Sequence, residues 1–158
     1  MSRIVVLAAG NDARGDDGIG PALLARLAAL SLPAVVLVDA FQFQVEHALD
    51  LADADAALFI DAHLSQGEAV RLVPLQPAGA VAVQSHALTP AEVLRVSLQI
   101  GQTPPPSWLL SVRGEDFSLG APLSPLARSR VDMAWAQLRG SMRARWRVSR
   151  DGAERTRR

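Results

Sequence analysis

Short apolar runs alternate with segments of helical periodicity along most of this 158-residue chain. Continuous apolar runs of this kind are typical of strands that are buried on both faces of a sheet. Between them, leucines recur at helical spacing, as at Leu23, Leu24, Leu27 and Leu30. Strands that alternate with helices predict a three-layer α/β/α sandwich around a mixed, mostly parallel, twisted sheet of about five strands.

The predicted strands cover residues 3–9, 35–39, 56–61, 68–75 and 108–112, and the predicted helices cover 21–30, 45–51, 89–100 and 124–138. Residues 68–75 alternate in polarity, which predicts an edge or antiparallel strand. Thr89-Pro90-Ala91-Glu92 is a capping box with proline at the first helical position, so a helix should begin there. On the second helix, Val45, Ala48 and Leu49 are expected to lie on one side. On the last helix, the side chains expected to face partly inward are Leu126, Val131, Met133, Ala134 and Leu138.

The size and composition of the chain predict one cytoplasmic, monomeric protein. A chain of this length buries roughly 70% of its unfolded surface and needs no disulfide or structural metal to fold. The chain has no cysteine, which excludes thiolate metal sites and agrees with a reducing compartment. No apolar run approaches the roughly 20 residues that span a bilayer, and the first residues look like a strand instead of a secretory signal. We therefore expect no membrane partner.

The charge of the chain is zero overall but unevenly distributed. All sixteen basic residues are arginines, and seven of them lie in residues 141–158 beside only two acids. We interpret this segment as a flexible, Arg-rich tail that follows a single domain over residues 1–140. Arginines of this kind can contact phosphates, but the rest of the chain has no basic–aromatic patch, so we expect no nucleic-acid partner.

Acidic residues and one histidine lie where the predicted strands end. The turn 15–18 (GDDG) follows the first strand, Asp39 ends the second, Asp61 ends the third, and His86 lies directly ahead of the capped helix. In an open α/β sheet, binding sites form beyond the carboxyl ends of the strands. The glycines of the turn are expected to leave room for a substrate backbone. Taken singly, each acid also has an ordinary interpretation as a turn former or helix cap.

Together, these groups suggest a metal site or an acid–base pair. Two carboxylates and an imidazole from three loops suit a divalent transition ion. With only three protein ligands, such a site keeps positions open for water or a substrate group. A cation would also relieve the repulsion between the adjacent Asp16 and Asp17. The same groups could instead work in general acid–base catalysis, because neighbouring acids separate their pKa values.

Several other chemistries lack their motifs in this chain. A nucleotide-binding turn needs G-x-G-x-x-G or a G-K-S/T element, whereas this chain has Ala8 at the first glycine position and no lysine. There is no G-x-S-x-G nucleophile elbow and no H-E-x-x-H helix. We therefore expect no nucleotide cofactor and neither a serine hydrolase nor a zinc protease of those types.

The order of the motifs resembles the hydrogenase maturation endopeptidases, which remove a C-terminal peptide from the large-subunit precursor of nickel–iron hydrogenase once nickel is loaded. That family opens with a strand and G-x-G-N-x-x-x-x-D-D/E-G-x-G, which residues 8–20 (AAGNDARGDDGIG) match except at Ala8. Its next acid stands in V/I-D-A, as in Ile60-Asp61-Ala62, and its histidine in S-H-x-L/M-S/T-P, as in residues 85–90 (SHALTP). The similarity runs from residue 3 to about residue 140.

Carried over position by position, the resemblance implies that Asp17, Asp61 and His86 recognise the metal and act in catalysis, with Asp16 and Asp39 as accessory residues. The implied fold is the phosphorylase/hydrolase-like α/β/α sandwich. The implied activity is a metal-directed, aspartate-dependent endopeptidase. Nickel would arrive with the precursor, and the isolated protein would be metal-free. The ion would orient the peptide or activate water, and whether the metal or a carboxylate performs the hydrolysis stays open.

Two other functions fit parts of the sequence. A peptidyl-tRNA hydrolase also opens with a strand and G-x-G-N, but it needs a histidine soon after the asparagine and a basic groove. Here the first histidine is His47, and the first 140 residues are net acidic. A non-enzymatic metal-binding or carrier module could use the same acid–acid–histidine set. Residues 40–51 (AFQFQVEHALDL) depart from the endopeptidase pattern, which often has G-T at this point.

Overall fold

A computed structural model describes residues 3–79 and 87–148. Its five strands are Ile4–Ala9 (β1), Val35–Ala40 (β2), Ala56–His63 (β3), Val70–Leu75 (β4) and Ser107–Arg113 (β5). Its α-helices are Ile19–Ala28 (α1), Pro90–Gln99 (α2) and Pro125–Ala144 (α3). Two 3-10 helices cover Gly15–Gly18 and Val45–Leu51.

The strands form one sheet in the order β2-β1-β3-β5-β4. The first four strands in this order are parallel, and β4 pairs antiparallel with β5 at the edge. Because β1 is a central strand with a packed core on each face, all six of its residues are buried, which explains its continuous apolar sequence. The predicted mostly parallel sheet is confirmed, and so is the antiparallel edge strand predicted within residues 68–75.

Alternate residues of the strands face two separate apolar cores. On one face, Ile4 and Val6 of β1 pack in the core that contains residues of α1 and α3. On the other face, Val5 and Leu7 pack with α2 and the 3-10 helix Val45–Leu51. Since both faces of the sheet are covered, the predicted three-layer α/β/α sandwich is confirmed.

Capping residues begin the two later helices. At α2, the Thr89 hydroxyl accepts a hydrogen bond from the Glu92 N–H at 3.2 Å, and the Glu92 carboxylate accepts one from the Thr89 N–H at 3.0 Å. The predicted capping box is therefore confirmed. At α3, the Ser124 hydroxyl accepts from the Ala127 N–H at 3.1 Å.

None of the helices in the described residues is long and apolar enough to cross a membrane.

Two elements continue two or more residues past their predicted C-terminal ends. Strand β3 continues to His63, because its pairing with β5 extends to the partners His63 and Arg113. Helix α3 continues to Ala144, and Met142 and Trp146 are buried in the core. Packed structure therefore continues past the predicted boundary at residue 140, while residues 149–158 of the predicted tail lie outside the described residues.

The inward face of α3 is narrower than predicted. Val131, Ala134 and Leu138 are buried as expected, whereas Leu126 and Met133 are 48% and 52% exposed. Those two residues are seven positions apart and so lie on one side of the helix. Because α3 belongs to an outer layer, only one stripe of the helix contacts the sheet, and the prediction for Leu126 and Met133 was wrong.

The second predicted helix has the right ends but a different helical type. Residues Val45–Leu51 form a 3-10 helix, in which residues three apart lie on one side. Ala48 and Leu51 are consequently buried together, whereas Val45 and Leu49 are 58% and 63% exposed. The prediction that Val45, Ala48 and Leu49 share one side of the helix failed at Leu49, because it assumed α-helical spacing.

Candidate active site at the carboxyl edge of the sheet

Two of the predicted carboxylates interact at the carboxyl edge of the sheet. Asp17 lies in the 3-10 turn after β1, and Asp61 lies near the end of β3, which pairs directly with β1. The Asn11 N–H donates a hydrogen bond of 2.8 Å to Asp17 Oδ2, which orients that side chain. Burial raises the pKa of Asp61 to about 6. The Ala62 N–H opposes this rise, and the charge of Asp17 adds to it.

The electrostatics of this pair favour a bound cation. Asp61 is half-buried, and its ionised form is penalised by lost solvation and by repulsion from Asp17. A positive ion near both carboxylates would remove the repulsion and favour the ionised form. A carboxyl group with a pKa of about 6 can also exchange a proton near neutral pH, which suits general acid–base chemistry. The two possibilities predicted from the sequence therefore both remain chemically open at Asp61.

Asp16 has a different environment from its neighbour in the sequence. It is completely buried, and its carboxylate accepts four hydrogen bonds, from the Glu115, Asp116 and Ser124 N–H groups and from the Ser124 hydroxyl, at 2.7–3.1 Å. Burial by itself raises the pKa of Asp16, but the four hydrogen bonds together lower it by more. The net pKa therefore lies below its ordinary value. Asp16 therefore joins the turn to the loop before α3, which is a structural role.

The backbone of the same loop is hydrogen-bonded to the turn. The Gly15 N–H donates to the Ala121 carbonyl at 2.9 Å, and the Asp16 N–H donates to the Asp116 carbonyl at 2.7 Å. Gly15 has a φ of +55°, and a Cβ there would collide with the Asp116 carbonyl oxygen. The room that was predicted at this glycine for a substrate backbone is thus filled by the protein's own loop.

The predicted third ligand, His86, lies outside the described residues, which resume at Ala87. Within residues 3–79 and 87–148, there is no group of three or more histidine or acidic side chains that could hold a metal ion. Asp17 and Asp61 belong to that part of the chain, but a set of three also needs His86. The ligand set Asp17, Asp61 and His86 therefore stays a prediction.

Asp39, the predicted accessory acid, is exposed near the end of β2. It lines a small open cavity of about 160 Å³. The other lining residues are Gly10, Asp12, Pro21, Ala40 and Phe41. The structure thus puts Asp39 at the expected edge of the sheet, in a cavity whose lining does not include Asp17 or Asp61.

Two polar residues next to Asp61 were not predicted from the sequence. Ser111 of β5 is the register partner of Asp61. Its hydroxyl donates to Gln66 Oε1, and Gln66 Nε2 donates to the carbonyls of Ser111 at 3.1 Å and Glu68 at 2.8 Å. Ser111 and Gln66 are 45 residues apart and belong to no motif, so only the strand register brings them to the site.

The fold and this strand-end site define a class of α/β/α proteins that bind their ligands beyond the carboxyl ends of parallel strands. The solved structure of the hydrogenase maturating endopeptidase HybD from E. coli matches with a TM-score of 0.71 and 23% identity, covering 89% of this chain and 92% of that one. The hydrogenase maturation protease HycI from Thermococcus kodakarensis matches with a TM-score of 0.66 and 26% identity, covering 87% and 90%.

A hydrogenase 2 maturation peptidase from a Thaumarchaeota archaeon also matches, with a TM-score of 0.66 and 22% identity, covering 89% of this chain and 98% of that one. No protein-family model and no curated protein matches the chain. This chain has the fold of the hydrogenase maturation proteases, and these structures support the family resemblance predicted from the sequence motifs.

Proposed function

We propose that this chain is an endopeptidase that removes the C-terminal extension of a nickel-loaded nickel–iron hydrogenase large-subunit precursor. The observation that carries the proposal is the interaction of Asp17 with Asp61 at the edge of this sheet. Both residues belong to the motifs on which the resemblance rests, and two solved structures that share the fold are named as a maturating endopeptidase and a maturation protease. The absence of cysteine is compatible with a cytoplasmic site of action.

In this proposal, the nickel ion is part of the substrate. Asp17 and Asp61 supply two oxygen ligands, and His86 supplies an imidazole as the third. Without the ion, the two carboxylates repel each other, and Asp61 is only partly ionised near pH 6. A precursor that carries nickel removes this penalty, whereas an empty precursor does not. The site would therefore distinguish loaded from unloaded substrate by electrostatics.

The structure also bears on which carboxylate could assist hydrolysis. Asp16 is occupied by its four donors and is buried, so we assign it no part in proton transfer. Asp17 is partly exposed, and the Asn11 N–H holds one of its oxygens. We propose that Asp17 both contacts the ion and orients the attacking water. The ion would supply Lewis acidity toward the scissile carbonyl.

The test is cleavage of a cognate precursor, with and without nickel, followed as a shift in size. The parent protein should cleave only the loaded precursor, and Asp17→Ala, Asp61→Ala and His86→Ala should each lower the rate on the order of a hundredfold or more. Asp132→Asn is a matched control, because this exposed carboxylate lies on α3 and pairs with Arg26 at 2.6 Å. The control should cleave at the parental rate.

Three results would overturn the proposal. The first is no cleavage of a loaded cognate precursor by the parent protein. The second is equal cleavage of loaded and empty precursor, and the third is full activity of the three variants. Binding of nickel by the isolated protein, with no cleavage of any precursor, would instead favour the metal-carrier function that the sequence left open.

A further inference from the structure

Asp61 belongs to a row of polar side chains that crosses three neighbouring strands. Ser111 of β5 is the register partner of Asp61, and Arg71 of β4 is the register partner of Ser111. Register partners point to the same face of a sheet. The adjacent residues Leu110 and Leu72 pack in the α1/α3 core. Asp61, Ser111 and Arg71 therefore point to the opposite face, where α2 lies.

The two ends of this row carry opposite charges. At one end, Asp61 lies near Asp17. In the middle, the Ser111 hydroxyl is engaged by Gln66. At the other end, Arg71 is exposed, and it forms no ion pair within residues 3–79 and 87–148. Two inter-strand spacings separate Arg71 from Asp61, which amounts to about 10 Å.

A neighbouring arginine on the same face of the sheet is already paired. Arg113 follows Ser111 by two residues on β5, so it points to the same face, and its Nε lies 3.5 Å from Glu115. Arg130 also contacts Glu115, at 2.7 Å. Arg71 differs from both of these residues, because its guanidinium is available to a carboxylate from outside the chain.

We propose that Arg71 binds a carboxylate of the C-terminal extension that is cut from the precursor. This inference rests on the proposed function, in which the substrate's nickel lies at the Asp17 and Asp61 end of the row. An extended peptide rises about 3.3 Å per residue, so about three residues span the distance from that end to Arg71. A guanidinium offers two parallel N–H donors that match a carboxylate. The carboxylate is either the chain terminus or an acidic side chain of the extension.

The test compares the cleavage kinetics of Arg71→Glu, Arg71→Gln and the parent on a nickel-loaded precursor. Arg71→Glu should raise KM about tenfold and Arg71→Gln about threefold, and kcat should stay within about twofold, because the contact is remote from the reacting bond. The rise in KM should shrink at high salt. Arg128→Glu is the control, because Arg128 is an exposed arginine on α3, which covers the other face of the sheet. Its KM should equal that of the parent.

Precursor variants identify the source of the carboxylate. If it is an acidic side chain, changing that residue to arginine should restore the KM of Arg71→Glu. If it is the chain terminus, a precursor that ends in a carboxamide should raise the KM of the parent, leave that of Arg71→Gln unchanged and lower that of Arg71→Glu. An unchanged KM for Arg71→Glu, with normal cleavage by the parent, would overturn this inference and leave the proposed function standing. No cleavage by the parent would overturn both.

Discussion

Asp16 and Asp61 lie in two neighbouring regions at the same edge of the sheet, yet their environments differ in kind. Asp16 is buried under the loop before α3 and accepts four hydrogen bonds, and its pKa is lowered. Asp61 is half-buried beside the charge of Asp17, and its pKa is raised to about 6. Burial raises the pKa of both, so the number of donors decides the outcome. The satisfied carboxylate stabilises the fold, and the other is available to a cation.

The largest effect should come from removing the satisfied carboxylate. We expect Asp16→Ala to lower the free energy of unfolding at pH 7 by about 4 kcal/mol, because it leaves the four donors around this buried side chain without an acceptor. Urea unfolding followed by circular dichroism measures this change. Since the pKa of Asp16 is lowered in the folded state, its contribution is present above the ordinary aspartate pKa and is lost as the pH falls through the folded-state value.

Asp12→Ala provides the control for this experiment, because Asp12 is an exposed aspartate of the same segment. It should change the free energy of unfolding by less than about 0.5 kcal/mol. A loss below about 1 kcal/mol for Asp16→Ala would mean that the hydrogen bonds to Asp16 do not hold the loop, and the contrast with Asp61 would disappear.

The second-largest expected effect is an increase in the free energy of unfolding. We expect Asp61→Asn to raise the free energy of unfolding by about 2 kcal/mol at pH 7, because it removes an ionised group whose pKa of about 6 lies above its unfolded value. The stability of the parent should fall as the pH rises from about 4 to about 6, and the difference between the two proteins should vanish below about pH 4. Urea unfolding as a function of pH measures this.

Asp39→Asn is the matched control for Asp61→Asn, since Asp39 is an exposed aspartate near the end of a neighbouring strand. Its stability should follow that of the parent at every pH. If Asp61→Asn is less stable than the parent at pH 7, the carboxylate at this position is satisfied in the way that Asp16 is.

The third effect is the pH dependence of metal binding by the free protein. If Asp61 is a ligand, it must be ionised to bind, so the affinity for nickel or cadmium should fall up to tenfold for each pH unit below about 6. Calorimetric titration at pH 5, 6 and 7 measures this slope. Asp61→Ala should lose most of the affinity, and a variant that binds as tightly as the parent would show that Asp61 is not a ligand.

The smallest expected change in the free energy of unfolding comes from Ser124, which connects Asp16 to the start of α3. Ser124 donates its hydroxyl to Asp16 at 2.8 Å and accepts from the Ala127 N–H as the cap of α3. We expect Ser124→Ala to lower the free energy of unfolding by about 1 kcal/mol. Ser124→Thr keeps the hydroxyl and should restore most of this loss. Equal stability of parent and Ser124→Ala would show that the N–H groups alone hold Asp16.

The local elements of the fold were predictable because each depends on neighbours in the sequence. The continuous apolar run of β1 indicates a strand that is buried on both faces, and Thr89 with Glu92 indicates the start of a helix. The same reasoning failed at Leu49, where a 3-10 helix changes which residues share a face. It also failed at Met133, which is exposed. The periodicity of apolar residues does not determine how much of the surface of an outer helix contacts the sheet.

The site was predictable only in part. The motifs pointed to Asp17 and Asp61, and the pairing of β1 with β3 explains why two residues 44 positions apart interact. The role of Asp16 depends on donors that lie 99 to 108 residues away, so no spacing in the sequence could indicate it. The parallel register of β3 with β5 puts Ser111 beside Asp61, and the antiparallel register of β4 with β5 puts Arg71 beside Ser111; the sequence specified neither register. The role of His86 remains a prediction.

The sequence by itself determined the layered α/β architecture, the helix caps and the positions where chemistry should collect, because these follow from burial periodicity and short-range hydrogen bonding. Only the tertiary structure decided what each carboxylate does. The two adjacent aspartates of the GDDG turn are chemically identical in the sequence. The loop before α3 supplies donors to Asp16 alone, while β3 brings Asp61 to Asp17. Whether a buried carboxylate is satisfied depends on donors from distant segments, and folding alone brings those segments together.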